Sequence, residues 1–174
     1  MTVWHCHVAM TIDGKIARPD GGIDWLVHDY LPEGIGFEEF YASVSAILMG
    51  RSTYEACLAG DTWPYPDKDT FVLTSRPLVP AHPRIHVRNG TLSSLVAELE
   101  EAGLAKVWIE GGGQIVRSMM ELGKLDVLEI ALIPIILGEG IPLFPEGTPE
   151  WMGQLEIGRI WQKGAMHLKY KKSA

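Results

Sequence analysis

The chain has 174 residues, of which 15 are Lys or Arg and 22 are Asp or Glu, so its formal net charge at pH 7 is −7. This length favours a single domain over residues 1–174, and the negative charge disfavours nucleic acid as a partner because like charges repel. Two cysteines cannot form a disulfide framework, and no apolar run approaches the roughly 18 residues of a membrane helix. We therefore expect a cytoplasmic protein that does not attach to a membrane.

The first third of the sequence predicts a strand, a long loop and a helix. Residues 3–10 alternate between two largely apolar sets of side chains, which is typical of a strand covered on both faces. Residues 18–36 are rich in Gly, Pro and Asp, and a loop of that length is a candidate wall of an active site. Residues 37–44 then carry apolar side chains at the spacing of an amphipathic helix.

The rest of the chain predicts helices and strands in alternation, followed by a β-rich end. Crossover helices imply parallel strands, whereas consecutive strands imply antiparallel pairing. We therefore predict an α/β fold, with a mixed, mainly parallel sheet flanked by helices and a C-terminal antiparallel hairpin. The predicted strands cover residues 46–49, 71–73, 85–88, 106–110, 127–136, 155–161 and 166–170, and the predicted helices end at Gly60, Gly103 and Gly123.

Three of the predicted strands are followed by glycine, hydroxyl or cationic residues. In open α/β sheets, ligands bind at the carboxyl ends of strands, and the N–H groups of a helix that begins there attract anions. Glycine at such a turn lets a phosphate approach the backbone. The pattern predicts a nucleotide site whose pyrophosphate lies on the helix starts at Gly50 and Gly112. The residues after the three strands are Gly50, Arg51, Ser52 and Thr53; Thr74, Ser75 and Arg76; and Gly111, Gly112, Gly113 and Gln114.

Arg51, Ser75 and Arg76 are available for one further phosphate. A phosphate on the adenosine ribose distinguishes NADP from NAD, and a guanidinium group pairs bidentately with phosphate oxygens. The alternative interpretation of each glycine-rich turn is close backbone packing alone. One such turn favours packing, whereas three together favour a ligand site.

Other catalytic motifs are absent from the sequence. It contains no G-x-x-x-x-G-K-[ST], G-x-S-x-G, H-E-x-x-H or C-x-x-C motif, and residues 111–113 do not fit the spaced dinucleotide fingerprint. His5 and His7 share one strand face, but the sequence shows no carboxylate or histidine cluster that completes a metal site. We therefore expect packed or hydrogen-bonded histidines and no metal.

Several motifs, in the same order along the chain, carry a family resemblance. They are TIDGKIA at residues 11–17, ILMGRSTYE at 47–55, LTSRP at 73–77, WIEGGGQ at 108–114 and PIILGEGIPLF at 134–144. With these motifs the chain resembles the dihydrofolate reductase-like superfamily over nearly its whole length. The resemblance is specifically to the C-terminal reductase domain of bifunctional riboflavin-biosynthesis deaminase-reductases. The zinc motif of the deaminase half, H-x-E followed by P-C-x-x-C, does not occur.

The resemblance implies a cofactor and an oligomeric state. The expected cofactor is NADPH, with Ala9 and Ile16 near its nicotinamide. Residues 50–53, 74–76 and 111–115 are expected along its phosphates and adenosine, which adds Ile115 to the residues named above. The family implies the same mixed sheet as the residue patterns, and its members are commonly dimers, so a homodimer is expected.

The substrate side offers several carboxylates. Asp13, Asp24 and Glu110 are candidates for holding or protonating the substrate, and Glu110 is favoured because it ends a strand directly before the glycine run. A carboxyl group that donates a proton near neutral pH needs burial to raise its pKa, and the alternative for each acid is a solvated surface role. His7 and Glu38 are candidate substrate-binding residues.

The resemblance and the three strand ends together predict an NADPH-dependent oxidoreductase. It would transfer a hydride to a C=N or C=O group of a small heterocyclic or sugar-derived substrate, similar to 5-amino-6-(5-phosphoribosylamino)uracil reductase. One alternative is a pterin or dihydrofolate reductase, which needs an acid at the start of the first helix, where only Glu38 and Glu39 stand. The other alternative is a non-catalytic NADPH-binding protein.

Overall fold

A computed structural model describes residues 1–26, 36–60 and 62–173 of the chain. In these residues eight strands form one sheet, and two short strands pair separately. The strands of the sheet are β1 (Val3–Thr11), β3 (Ala46–Gly50), β4 (Asp69–Leu73), β5 (Ile85–Arg88), β6 (Lys106–Gly111), β7 (Val127–Ile133), β9 (Gly153–Ile160) and β10 (Met166–Lys172). The two short strands are β2 (Lys15–Ala17) and β8 (Ile141–Pro142).

The described residues also form helices at the positions that the apolar stripes predict. They are α1 (Phe37–Ser43), α2 (Arg51–Cys57), α3 (Leu92–Glu101) and α4 (Gly113–Glu121). Helix α3 begins where the Thr91 side chain accepts a hydrogen bond from the Ser94 N–H, which satisfies a donor that the helix itself leaves free. None of the helices in the described ranges is long and apolar enough to cross a membrane.

The strand order is β5-β4-β3-β6-β1-β7-β10-β9. All pairs from β5 to β7 are parallel, whereas β10 lies antiparallel to both β7 and β9. The predicted α/β fold, with a mainly parallel sheet and a C-terminal antiparallel hairpin, is confirmed. Because the parallel strands point the same way, their carboxyl ends lie along one edge of the sheet.

The two faces of the sheet have different chemistry. One face packs against α3 and α4 through apolar side chains such as Trp4, Cys6 and Val116. The other face packs against α1 and α2, and we call it the α1 face. It carries His5 and His7 of β1 together with Trp108, Glu110 and Glu129 of the neighbouring strands. The core is therefore apolar on one side and contains buried polar groups on the other.

Some boundaries differ from the predicted ones. Strand β7 stops at Ile133 instead of residue 136, because Pro134 has no N–H to donate and the Ile135 N–H turns back to the Ile133 carbonyl at 2.8 Å. Helix α2 ends at Cys57 instead of Gly60. Strands β2 and β8 were not predicted, since two or three residues give no readable alternation. Of the predicted loop at residues 18–36, residues 27–35 lie outside the described part.

Candidate active site at the carboxyl edge of the sheet

The carboxyl ends of β3, β4 and β6 are immediate neighbours. The register places Gly50 opposite Leu73, and Met49 opposite Gly111. We call the residues that follow these strands the carboxyl edge and define it as residues 50–53, 74–76 and 111–115. The structure thus brings together the three segments that the sequence analysis assigns to one nucleotide site.

Glycine serves two purposes at the carboxyl edge. A Cβ atom at Gly113 would lie 2.4 Å from the Pro142 carbonyl oxygen, so this glycine is required by packing. A Cβ atom at Gly50 would lie 3.2 Å from the side chain of Ile115, which is also tight. A Cβ atom at Gly111 would meet nothing within 4 Å, and the φ of 124° there belongs to the region that favours glycine. Open space therefore lies over the backbone at Gly111, whereas Gly113 is packed.

Residues of the β2–β8 pair close one side of the carboxyl edge. The Leu143 N–H donates to the Gly14 carbonyl at 3.0 Å. The Cδ1 atom of Ile16 lies 3.8 Å, and the Thr53 hydroxyl 3.4 Å, from the position of a Cβ atom on Gly112. Ile16, Thr53 and Gly112 therefore converge, as the expected cofactor site requires. Ala9 lies on β1, where it pairs with Ala131 of β7.

Helix α4 begins at the carboxyl edge. Gly112 is its N-cap residue, and the Gly112 carbonyl accepts the N–H of Ile115 at 2.9 Å. The N–H groups of Gly113 and Gln114 belong to the first turn, whose donors have no acceptor within the helix. Together with the positive end of the helix dipole, these donors favour an anion. Helix α2 has only seven residues, so its dipole contributes less to anion binding than that of α4.

The two predicted phosphate-binding arginines differ in their surroundings. Arg51 is held by an ion pair with Glu55 at 2.6 Å and by a hydrogen bond to the Pro77 carbonyl at 3.0 Å. Arg76 is exposed, and its guanidinium has no partner among the described residues. The Thr74 hydroxyl accepts the Arg76 N–H at 3.2 Å and so shapes the turn. The other predicted hydroxyl residues, Ser52 and Ser75, are exposed.

Glu110 is the carboxyl group whose surroundings suit a proton donor. Its Oε1 atom accepts a hydrogen bond from the Tyr65 hydroxyl at 3.3 Å and a weak one from the Cys57 thiol at 3.9 Å. Its Oε2 atom is buried and has no hydrogen-bond partner in the part of the chain that the structure describes. Burial raises the pKa of Glu110 to about 7, although the bonds from Tyr65 and Cys57 oppose the increase. Near neutral pH this group can therefore hold or release a proton at Oε2.

The surroundings of Asp13 and Asp24 do not suit a proton donor. The Thr11 hydroxyl donates to Asp13 at 2.6 Å and the Gly138 N–H donates to it at 2.8 Å, so Asp13 anchors the loop before β8. Asp24 is exposed and forms a two-point ion pair with Arg18. The Thr11 hydroxyl lowers the pKa of Asp13, and the Arg18 guanidinium lowers that of Asp24. Both groups are therefore ionised near neutral pH, and the roles the structure gives them are structural.

The two predicted substrate-binding residues lie in different surroundings. Glu38 is exposed in the first turn of α1, away from the buried groups. His7 is buried on the α1 face, where its ring stacks on Phe37 with centroids 5.6 Å apart. Burial lowers the pKa of His7 to about 4, so its imidazole is neutral at pH 7.

Sequence reasoning missed the partners that set the properties of this face. Tyr65 and Cys57 contact Glu110 from loop and helix positions far away along the chain. No local sequence pattern places a carboxylate beside the histidines of β1, but the strand register places Glu129 of β7 next to His7. His167 of β10 contacts Glu129 at 2.6 Å. These contacts depend on strand order, and no local motif signals them.

Comparison with known proteins identifies the family. Residues 4–166 match the sequence profile of the RibD C-terminal domain. The chain therefore belongs to the RibD C-terminal domain family. It is also 36% identical over 146 residues to YwjB of Bacillus subtilis (strain 168), an uncharacterized protein, with 83% of each chain covered.

Solved structures agree with this family. A Shewanella sp. PV-4 protein that is provisionally assigned to riboflavin biosynthesis superposes with a TM-score of 0.88 at 26% identity, and 99% of each chain is covered. Dihydrofolate reductase from Enterococcus faecalis, in complex with NADP(H) and RAB-propyl, superposes with a TM-score of 0.72 at 19% identity. In that comparison 99% of this chain and 97% of the other are covered. These superpositions show the dihydrofolate reductase-like fold of this RibD C-terminal domain.

Proposed function

We propose that this RibD C-terminal domain is an NADPH-dependent reductase. Its substrate would be a small heterocyclic or sugar-derived molecule with a C=N or C=O group, similar to 5-amino-6-(5-phosphoribosylamino)uracil. The observation that carries the proposal is the convergence of three strand ends at one edge of the sheet, with open space over Gly111. When bound, NADPH supplies the hydride, while the protein supplies position and electrostatics.

The residues of the carboxyl edge fit the phosphates of such a cofactor. The first-turn N–H groups of α4 at Gly113 and Gln114 are suited to a pyrophosphate. The unpaired guanidinium of Arg76 is suited to a ribose phosphate, because it can make two parallel hydrogen bonds to phosphate oxygens. Arg51 is already bonded to Glu55 and Pro77, so we assign it a supporting role.

Glu110 is the proposed proton source for the substrate. Hydride transfer to C=N or C=O leaves a negative charge on the heteroatom, which a nearby acid neutralises. The buried Oε2 atom of Glu110 has no competing partner among the described residues, and the Tyr65 hydroxyl orients the carboxyl group through Oε1. Ionised Asp13 and Asp24 cannot supply this proton near neutral pH.

A dihydrofolate reductase is the less favoured activity. It needs an acid at the start of the first helix, but Glu38 and Glu39 are both exposed in α1. A non-catalytic NADPH-binding protein is also less favoured, since it gives no reason for a buried carboxyl group with a pKa of about 7 beside the cofactor edge.

The proposal is tested on the purified protein in two steps. First, the melting temperature is compared with no cofactor, with NADPH and with NADH. We expect a larger increase with NADPH, and an increase with neither would reject the proposal. Second, NADPH oxidation at 340 nm is followed with 5-amino-6-(5-phosphoribosylamino)uracil, dihydrofolate and simple aldehydes. Turnover of the pyrimidine alone supports the proposed substrate class, whereas NADPH binding without any turnover favours the non-catalytic alternative.

A further inference from the structure

Four ionisable side chains from three adjacent strands form a buried cluster on the α1 face. They are His5 and His7 of β1, Glu129 of β7 and His167 of β10. Glu129 Oε1 lies 2.6 Å from His167 Nε2, and Glu129 Oε2 lies 2.7 Å from His5 Nε2. One ligand atom each from His7, Glu129 and His167 lies within 4.8 Å of the other two. We call these four residues the His–Glu cluster.

The His–Glu cluster leaves ring nitrogens without hydrogen bonds. Within the described part of the chain, His167 Nδ1 is buried and has no hydrogen-bond partner, whereas His5 Nε2 lies 2.7 Å from Glu129 Oε2. Among the described residues, His7 makes ring contacts with Phe37 and Phe40 but no hydrogen bond through its nitrogens. Buried polar atoms are normally paired, so an unpartnered imidazole nitrogen in a cluster of three histidines around one carboxylate points to a ligand at this cluster.

The nearest lysines do not neutralise this carboxylate. Lys169 stands opposite Glu129 in the β7–β10 pair, but its Nζ atom lies 3.5 Å from Glu156. Lys106 of β6 donates its Nζ hydrogen bond to Ser43 at 2.8 Å. A buried carboxylate needs a positive charge beside it, and within the described residues the lysines of this face bond elsewhere. A proton on one imidazole or a bound cation would supply that charge.

We propose that His7, Glu129 and His167 bind a divalent transition-metal ion of the zinc class. Two imidazoles and one carboxylate are a common ligand set for such ions. The ligands stand on three neighbouring strands of one sheet, so the fold holds the set in place before any ion arrives. His5 contacts the other carboxylate oxygen and acts as a positioning residue for Glu129.

A bound zinc ion would change the distances between the ligand atoms. Ligand atoms about 2.0–2.1 Å from a tetrahedral zinc ion are roughly 3.3 Å apart. The contact of 2.6 Å between Glu129 and His167 must therefore lengthen by roughly 0.7 Å. Three protein ligands leave one position of the tetrahedron for water. The His–Glu cluster contains no residue of the carboxyl edge, and the metal proposal does not depend on the proposed reductase activity.

The test measures metal binding to the full chain without NADPH. The purified protein is stripped with a chelator and titrated with Zn²⁺ by calorimetry, and Co²⁺ is added separately to record its visible absorption bands. We expect one equivalent of Zn²⁺ to bind and the Co²⁺ bands to show nitrogen and oxygen ligands. A wild-type protein that binds no stoichiometric ion overturns the proposal and assigns the missing charge to a proton.

Variants identify the ligands. Glu129→Gln and His167→Gln should each weaken Zn²⁺ binding about 100-fold or more, and His5→Gln about tenfold, as expected of ligands and of a positioning residue. The matched control is His86→Gln, because His86 also contacts a carboxylate, Asp69, at 2.8 Å but lies at the surface. The affinity of His86→Gln should equal that of the wild type. Equal affinities for Glu129→Gln and His86→Gln would overturn the assignment, and circular dichroism checks that each variant is folded.

Discussion

The carboxyl edge and the α1 face adjoin each other but are built differently. The carboxyl edge consists of glycines, hydroxyl residues and helix-start N–H groups, and its one unpaired cation is Arg76 among the described residues. The α1 face holds buried ionisable groups, including Glu110, His7 and Glu129. The first region can recognise an anion through its backbone, whereas the second can hold or move protons. We therefore expect that mutations can separate cofactor binding from proton supply.

The largest expected effect concerns proton supply from the α1 face. Glu110→Gln keeps the shape of the side chain but removes its proton, so turnover should fall about 100-fold or more, while NADPH affinity stays within about twofold of wild type. Glu101→Gln, at the exposed end of α3, is the matched control and should leave turnover unchanged. Steady-state kinetics measures turnover, and titration with NADPH measures cofactor affinity. If Glu110→Gln lost NADPH affinity but kept its turnover, the assignment of proton supply to the α1 face would be wrong.

The next effect concerns packing at the carboxyl edge. In Gly113→Ala the new Cβ would lie 2.4 Å from one carbonyl oxygen and 2.9 Å from the next, those of Pro142 and Leu143. We expect the free energy of unfolding to fall by about 3 kcal/mol, with loss of NADPH binding. Urea unfolding measures the free energy of unfolding, and titration with NADPH measures cofactor binding. Gly60→Ala is the control, since its Cβ would meet nothing closer than 3.9 Å. Equal stability of the two variants would show that Gly113 is not packed.

A pH dependence of stability follows from Glu110. Burial raises its pKa in the folded state to about 7 from a usual value of 4.5, so the folded protein retains a proton that the unfolded chain loses between these values. The free energy of unfolding should therefore fall as pH rises from about 4.5 to about 7, by at most about 3 kcal/mol, and this contribution stays constant above pH 7.

Urea unfolding of the wild type and of Glu110→Gln across this pH range isolates the contribution of Glu110. The variant should lack this part of the decrease. Parallel curves for the two proteins would mean that Glu110 is solvated and ionised, which contradicts its assignment as the buried acid.

The smallest expected effect concerns cofactor preference. Arg76→Ala removes the unpaired guanidinium, so the preference for NADPH over NADH should fall about tenfold or more. Arg51→Ala should have a smaller effect, because Arg51 is bonded to Glu55 and Pro77. Arg84→Ala, which loses only an ion pair with Asp69, is the matched control. Calorimetry measures the dissociation constants of NADPH and NADH for each variant. An unchanged preference for NADPH in Arg76→Ala would show that the ribose phosphate does not bind at Arg76.

The fold class and the carboxyl edge could be predicted from the sequence, because the patterns that indicate them are local. Helix stripes, apolar strands and the glycines after them are local patterns, and parallel strands align their carboxyl ends automatically. The α1 face was only partly predictable. Glu110 could be named because it precedes Gly111, but its raised pKa depends on burial in the folded protein, and the hydrogen bonds from Tyr65 and Cys57 oppose the increase.

The His–Glu cluster could not be predicted from local patterns. His5 and His7 were visible as a pair on one strand face, but Glu129 and His167 join them only through the order β1-β7-β10. The β2–β8 pair was missed for a related reason, since its strands are too short to show alternation and their pairing spans most of the chain.

The most direct measurement of the separation between the two regions is a crystal structure of the protein grown with excess NADPH. We expect the pyrophosphate on the N–H groups of Gly113 and Gln114, the ribose phosphate beside Arg76 and the nicotinamide near Ile16 and Ala9. An empty carboxyl edge in such crystals, or a cofactor bound elsewhere on the protein, would contradict the proposed cofactor site.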